Sequence, residues 1–205
     1  SALELLADQS GTFVSSIQGN MHQLPYYNQL TYTPQDAHRP KLVTLLGGTL
    51  GHLNNERTFI KESLKPFSKG DLLLIDGEAA HGPVHQEAWL RQSDSWLSGR
   101  VDAQLRHAYE EFLKEPLRQY FNANDIHFKL KATTKECQIP DSYSIELEAE
   151  FSIKSHEPHR LPMFHFKKFN PNSLVKCLEQ EQWIYLDGWR FGPEQEQFMY
   201  LFKKI

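Results

Sequence analysis

Apolar and polar positions along this 205-residue chain fall into three kinds of pattern. Lys41–Leu46 and Leu72–Ile75 are short apolar runs bounded by turn residues, as in strands buried within a parallel sheet. Two later runs alternate instead. Ile126–Cys137 sets Ile126, Phe128, Leu130 and Ala132 on one side. Tyr143–Ile153 does the same with Tyr143, Ile145, Leu147, Ala149 and Phe151. Both read as half-buried strands, pairing antiparallel across a Gln138–Ser142 turn. Trp183–Arg190 and Gln197–Lys203 form a closing pair around Gly192-Pro193. Their aromatic residues (Trp183, Tyr185, Trp189, Phe191, Phe198, Tyr200, Phe202) read as core. Helical spacing is clearest over Val101–Tyr120, where Leu105, Ala108, Tyr109, Phe112 and Leu113 give an apolar face and Pro116 marks a kink near the end. Ala2–Gln9, Gln86–Trp96 and Ser173–Gln180 read as further helices, the last capped at Asn172 or Ser173. Thr12–Gln18 reads as a strand, Gln23–Pro40 as a connector, and Met163–Phe169 as a strand or extended segment.

The two apolar runs enclose the most informative unit. Gly47, Gly48 and Gly51 punctuate the end of the first run. Asn54 or Asn55 caps a helix starting near Glu56. Leu64, Pro66 and the Lys69-Gly70-Asp71 turn end that helix. The second run closes on Asp76-Gly77-Glu78. Strand, glycine turn, helix, strand predicts an open α/β sheet. In such sheets ligands bind outside the carboxyl ends of the strands. Gly47-Gly48-Thr49 and Asp76-Gly77-Glu78 share that rim.

Charge narrows the partners. The formal net charge is -4, and lysines and arginines do not cluster, so sequence-independent nucleic-acid binding is not expected. No apolar run reaches membrane-spanning length, and no signal-peptide pattern opens the sequence. Cys137 and Cys177 sit in no metal or redox motif, which fits buried reduced thiols and a cytoplasmic location. His81 and His85, with Glu78 and Glu87, invite a metal reading. Gly82 and Pro83 between them break i,i+4 helix geometry, so no metal is expected. His156 and His159, flanking Glu157-Pro158, read as surface imidazoles. No Ser-His-Asp or Cys-His pattern argues for hydrolysis.

The central unit, GGTLGHLNN followed by a helix and then KGDLLLIDGE, resembles the histidine-specific methyltransferases that make Nα-trimethylhistidine on the way to ergothioneine. In that family a G-S-T-I-G-N-L segment follows the fourth strand of a class I S-adenosylmethionine (SAM) fold, and P-G-D-x-L-L-L enters the fifth. Other segments match in order. Ser1-Ala2-Leu3 is similar to the start of the helix after the second strand, and Ile17–Met21 to the V-x-G-D-F that ends the third. Phe166–Asn170 is similar to a K-F/Y motif before the last helix, and Phe198–Phe202 to the final strand. The resemblance implies a partial class I (Rossmann-like) sheet at 1–85 and 166–205, with an α+β insert at 86–165. It begins after the second strand, and the glycine-rich SAM turn of the first strand has no counterpart. One reading is the C-terminal portion of a longer enzyme, which we favour; the other is a domain that has lost its cofactor half. Strands one and two would lie between three and four. The row they leave open is expected to be closed by the remaining strands, by a second copy in a homodimer, or by upstream residues.

The resemblance also implies site residues. Asn20 stands where the family has an aspartate for the adenine amino group, and Met21 where it has an aromatic residue against the adenine. The alternative is a strand-end turn without ligand. Gly47, Gly48 and Thr49 would let backbone approach the methionine side of SAM. A tight turn alone would need fewer glycines. His52 replaces an asparagine that contacts the substrate; as imidazole it can contact substrate or act as the base, or be a partly exposed residue after a turn. Phe164 and Phe166 occupy the positions of acidic and hydroxyl residues that grip histidine. Two phenyl rings cannot make those bonds, so the acceptor is expected to be a small amine-bearing or related metabolite other than histidine. The competing class is a non-catalytic binding or assembly domain on the same frame.

Overall fold

The structure is a computed structural model that describes residues 20–26, 40–80, 111–112, 114–120, 126–153, 159–192 and 195–205. The expected elements at Ala2–Gln9, Thr12–Gln18 and Gln86–Trp96 lie outside these residues. So do most of Val101–Tyr120 and of the Gln23–Pro40 connector. Seven strands form one sheet: β1 (Leu42–Leu45), β2 (Leu72–Ala79), β3 (Ile126–Glu136), β4 (Tyr143–Ile153), β5 (His159–Phe169), β6 (Trp183–Phe191) and β7 (Gln197–Lys204). The order is β3-β4-β5-β2-β7-β6, with β1 also on β2.

β2 is the spine. One edge pairs antiparallel with β7 from Leu72↔Lys203 to Glu78↔Gln197. The other edge is shared. β1 takes its first half in parallel, Leu42↔Leu72 to Leu45↔Ile75. β5 takes its last two residues, Glu78↔Lys168 and Ala79↔Phe169. The expected strand end at Asp76-Gly77-Glu78 is therefore still strand, because β7 and β5 continue to pair there. Burial along β2 alternates: Leu73, Ile75 and Ala79 are buried, while Leu72 and Leu74 are half-buried. β1 leaves Leu42 and Thr44 exposed. The expected burial on both faces is thus found on one face among the described residues.

That face carries the core. Leu73, Ile75, Phe198 and Phe202 pack with Phe59, Ile60, Leu64, Leu174, Leu178 and Trp183. Gly77 is required by this packing, since a Cβ there would sit 2.8 Å from the Phe198 ring. The first helix, α1 (Glu56–Thr58), is capped by Asn55, whose Oδ1 accepts from Thr58 N at 2.9 Å, and widens into a π turn at Phe59–Ser63. The second, α2 (Pro171–Gln180), is capped by Asn170 rather than Asn172 or Ser173. Asn170 Oδ1 accepts from Ser173 N, and Pro171 at the first helical position starts the helix early.

β3 and β4 pair over their whole length, from Glu136↔Tyr143 to Ile126↔Ile153, across the expected turn. Two apolar expectations fail. Phe112 is 74% exposed and joins no core among the described residues. On β6, Tyr185, Trp189 and Phe191 are exposed while Trp183 is buried. β6 is the edge strand, and its register against β7 shifts between Tyr185 and Asp187, so strict alternation does not carry through.

Candidate active site at the β1–β2–β5 junction

β1 ends where β5 has not yet joined β2. The gap is filled by the glycine turn. Gly47 and Gly48 both adopt left-handed conformations, at φ 74° and 68°, which favour glycine. Their N–H groups point back at β2: Gly47 N donates to Asp76 Oδ2 at 2.9 Å and Gly48 N to Asp76 Oδ1 at 2.7 Å. One carboxylate thus holds two successive amides, a charge-assisted clasp. The next turn, the 3-10 segment Thr49–His52, lies against β5. A Cβ at Gly51 would meet the Lys167 backbone at 3.1 Å, so glycine allows that approach. Thr49 Oγ1 donates to Leu46 O.

His52 is held by the same contact. Its Nδ1 lies 2.9 Å from His165 O. A carbonyl only accepts, so Nδ1 carries a proton, and the neutral form of the ring has its lone pair on Nε2. Below the turn, Lys167 is buried and donates to the Glu56 carboxylate and to Leu53 O. Glu56 is buried too and accepts from Gln138 N at 3.0 Å. The neighbouring Lys168 pairs with Glu78 at 3.0 Å. Burial, with Glu56 adding to it, pushes the Cys137 thiol up to about 12. Burial, with Glu78 adding to it, pushes the Tyr143 hydroxyl up to about 12.

The turn, Asp76, Glu78 and Lys167 border a cleft of about 390 Å³, within the range of small-molecule sites. Gly47, Gly48, His52 and Asp76 form one wall; Phe166, Lys167, Phe191 and Gln197 form others. The four expected residues Gly47, Gly48, His52 and Phe166 are brought together there. Thr49 follows them in the turn but is not among the lining residues. Phe164 stands opposite Leu147 on β4. Asn20 and Met21 open a separate 3-10 turn, Met21–Gln23. There Asn20 Oδ1 accepts from His22 N at 2.9 Å, and Met21 packs against the core. Neither lines the cleft.

Sequence reasoning put Asp76 on the rim but gave it no role, and it missed Lys167, Glu56 and Phe191. The Asp76 clasp was foreshadowed by two polar strand ends on one rim. The Glu56–Lys167 pair spans 111 positions and left no local signal. Among the described residues no group of three His, Cys, Asp or Glu is placed to hold a metal; His81, His85 and Glu87 lie outside them. No described helix is long and apolar enough to cross a membrane.

No protein-family model matches the sequence, and no curated protein matches it. Solved structures do, at low identity. A SAM-dependent methyltransferase from Clostridium acetobutylicum is 11% identical, over 98% of this chain and 69% of that one, with a TM-score of 0.42. The CcbJ methyltransferase from Streptomyces caelestis is 10% identical, over 98% and 68%, at 0.44. The sugar N-methyltransferase KedS8 from Streptoalloteichus is 9% identical, over 98% and 66%, at 0.36. The chain spans about two thirds of the length of each.

Proposed function

We propose that this chain is the C-terminal portion of a SAM-dependent methyltransferase acting on a small amine-bearing or related metabolite other than histidine. One observation carries the reading. Parallel β1 and β2 are followed by β7, reversed and inserted between β2 and β6, with a glycine-lined cleft at the carboxyl ends of β1 and β2. That is the trailing half of the class I order 3-2-1-4-5-7-6. Residues 86–165 would then form the acceptor-side subdomain.

SAM supplies an activated methyl group when bound; the chain supplies position and a base. The Gly47–Gly48 turn fits the methionine side, because a Cβ at Gly47 would meet nothing within 4 Å and the backbone is open to a ligand. Asn20 and Met21 would serve the adenine end. His52 Nε2 would take the proton of the acceptor amine, with Nδ1–H anchored on His165 O. Phe166 offers that acceptor an apolar surface where a histidine imidazole would need polar partners; Phe164 extends the same substitution. The outer edge of β1, without a strand partner among the described residues, is where a second copy would pair.

One observation favours a non-catalytic binding or assembly role. Both glycine amides are already taken by Asp76, so neither is aimed at a ligand. Calorimetry with S-adenosylhomocysteine on the protein with its native upstream sequence separates the two. The enzyme reading expects measurable binding, unchanged in His52→Ala, and a loss of about 10²- to 10⁴-fold in kcat for that variant. Undetectable binding by the wild type would move the assignment to the assembly role.

A further inference from the structure

We propose that a second pocket, on the face of β5 opposite Phe166, binds a small uncharged group that carries a hydroxyl or an amide. The pocket has a volume of about 140 Å³. A single structural water needs only ~10–15 Å³, so the space suits a ligand group of several atoms. Its walls come from the start of α1 (Asn54, Glu56), the end of β3 with the following turn (Lys135, Cys137), and the polar face of β4 and β5 (Ser144, His165). Register explains why these meet. Ser144 pairs with Lys167 and Glu146 with His165, so all four project to one face.

The observation that points to a ligand is the state of two polar atoms. Only three buried side-chain polar atoms among the described residues lack a hydrogen-bond partner: Ser144 Oγ, His165 Nε2 and Trp183 Nε1. Two of the three belong to residues lining this one pocket. Ser144 is 4% exposed. An unpaired buried polar group costs ~1–3 kcal/mol, so two in one place call for a partner.

The charges define its chemistry. Lys167 is neutralised by Glu56, and Lys135 by Glu146. Glu136 adds a further acid. An anion therefore finds no uncompensated cation. A serine hydroxyl donates and accepts, and an imidazole nitrogen does either by tautomer. Their match is a neutral group that also does both. Lys167 lines this pocket and the main cleft alike. On the methyltransferase reading the group it takes is the non-reacting arm of the acceptor; the pocket itself does not depend on that reading.

The test is a titration of the full chain with acetamide, followed through the ¹⁵N resonances of the His165 ring, with acetate as the charged isostere. The expected result is a saturable shift with acetamide and none with acetate. Ser144→Ala should weaken acetamide by about 3- to 10-fold, as for one hydrogen bond. Ser144→Thr, which keeps the hydroxyl and adds a methyl to the pocket, should block it if Ser144→Ala fails to fold. A non-saturating response, equal affinity in both variants, or equal binding of acetate overturns the proposal in favour of a solvent-filled cavity. S-adenosylhomocysteine calorimetry on the same sample keeps the two readings apart. Acetamide without cofactor binding retains the pocket and removes the enzyme; cofactor without acetamide does the reverse.

Discussion

The two halves of the sheet are held by different forces. β1, β2, β6 and β7 share one large apolar cluster with the π turn after α1 and with α2. Among the described side chains, β4 and β5 add Tyr143, Ile145 and Phe166 to a small cluster with Ala80, while Phe169 at the end of β5 joins the large one. The polar positions of β3, β4 and β5 add ion pairs: Lys135 with Glu146 and Arg160 with Glu150 nearer the surface, and Lys168 with Glu78 and the buried Lys167 with Glu56 across to β2 and α1. Burial is non-directional and tolerates small shifts. Buried ion pairs and ladder register do not. The cleft lies between a half that sets the scaffold and a half that sets alignment, and it borrows one wall from each.

The contrast can be broken from the apolar side. Trp183 is fully buried, against Phe67 and beneath Lys204 Nζ at 5.2 Å from its ring. Trp183→Ala should cost ~3–5 kcal/mol in urea unfolding. A cost below 1 kcal/mol would mean the apolar half is not the scaffold. The next largest effect tests the seam. Glu56→Gln leaves Lys167 buried with a carbonyl and a neutral amide, and should cost about 3 kcal/mol; adding Lys167→Met should return most of it. A double variant no better than the single one would make the pair irrelevant to alignment. Third, Asp76→Asn keeps an acceptor for one glycine amide and turns an NH₂ toward the other. We expect a loss of about 2 kcal/mol and faster amide exchange at Gly47 and Gly48. Unchanged exchange there would show that the clasp does not hold the turn.

The smallest effect concerns Cys137. A thiol at about 12 instead of 9 carries about 10³-fold less thiolate at pH 8, so iodoacetamide should label it only after unfolding. Rapid labelling of folded protein would contradict the raised value of this half-buried thiol. The linkage runs with the same sign. Between pH 9 and 12 the folded chain keeps a proton that the unfolded chain releases, so stability falls as pH rises through that window. Tyr143 adds to this from its ordinary value of 10 upward.

Much of this architecture was legible in the sequence because it is local. Alternation gave β3 and β4, and Asn55 gave the cap of α1. The glycines announced a turn that needs positive φ. What was not legible is either cooperative or distant. Asn170 displaced the expected cap because Pro171 can begin a helix. Tyr185 and Trp189 look like core by alternation, yet an edge strand with a shifted register exposes them. Asn20 Oδ1 also closes its own turn by accepting from His22 N, a contact that the strand-end pattern does not announce. At Gly48 a valine would be forced to φ 68°, so a substitution there strains the backbone as well as adding bulk. Neither Glu56 nor Lys167 carries a sequence mark of being buried together.

β5 joins β2 through two residue pairs only, Glu78↔Lys168 and Ala79↔Phe169. Roughly ninety residues of chain separate those partners. The consequence is one of timing. Loop closure over that distance must precede any reward from the contact, whereas the β3–β4 and β6–β7 hairpins form from neighbours. The hairpins can therefore form before either long closure, the β2–β5 seam or the still longer β2–β7 pairing from Leu72↔Lys203 to Glu78↔Gln197, and the cleft, bordered by β2, β5 and β7, needs both. With so few ladder bonds at the seam, limited proteolysis should open β5 from β2 before it opens the β2–β7 ladder.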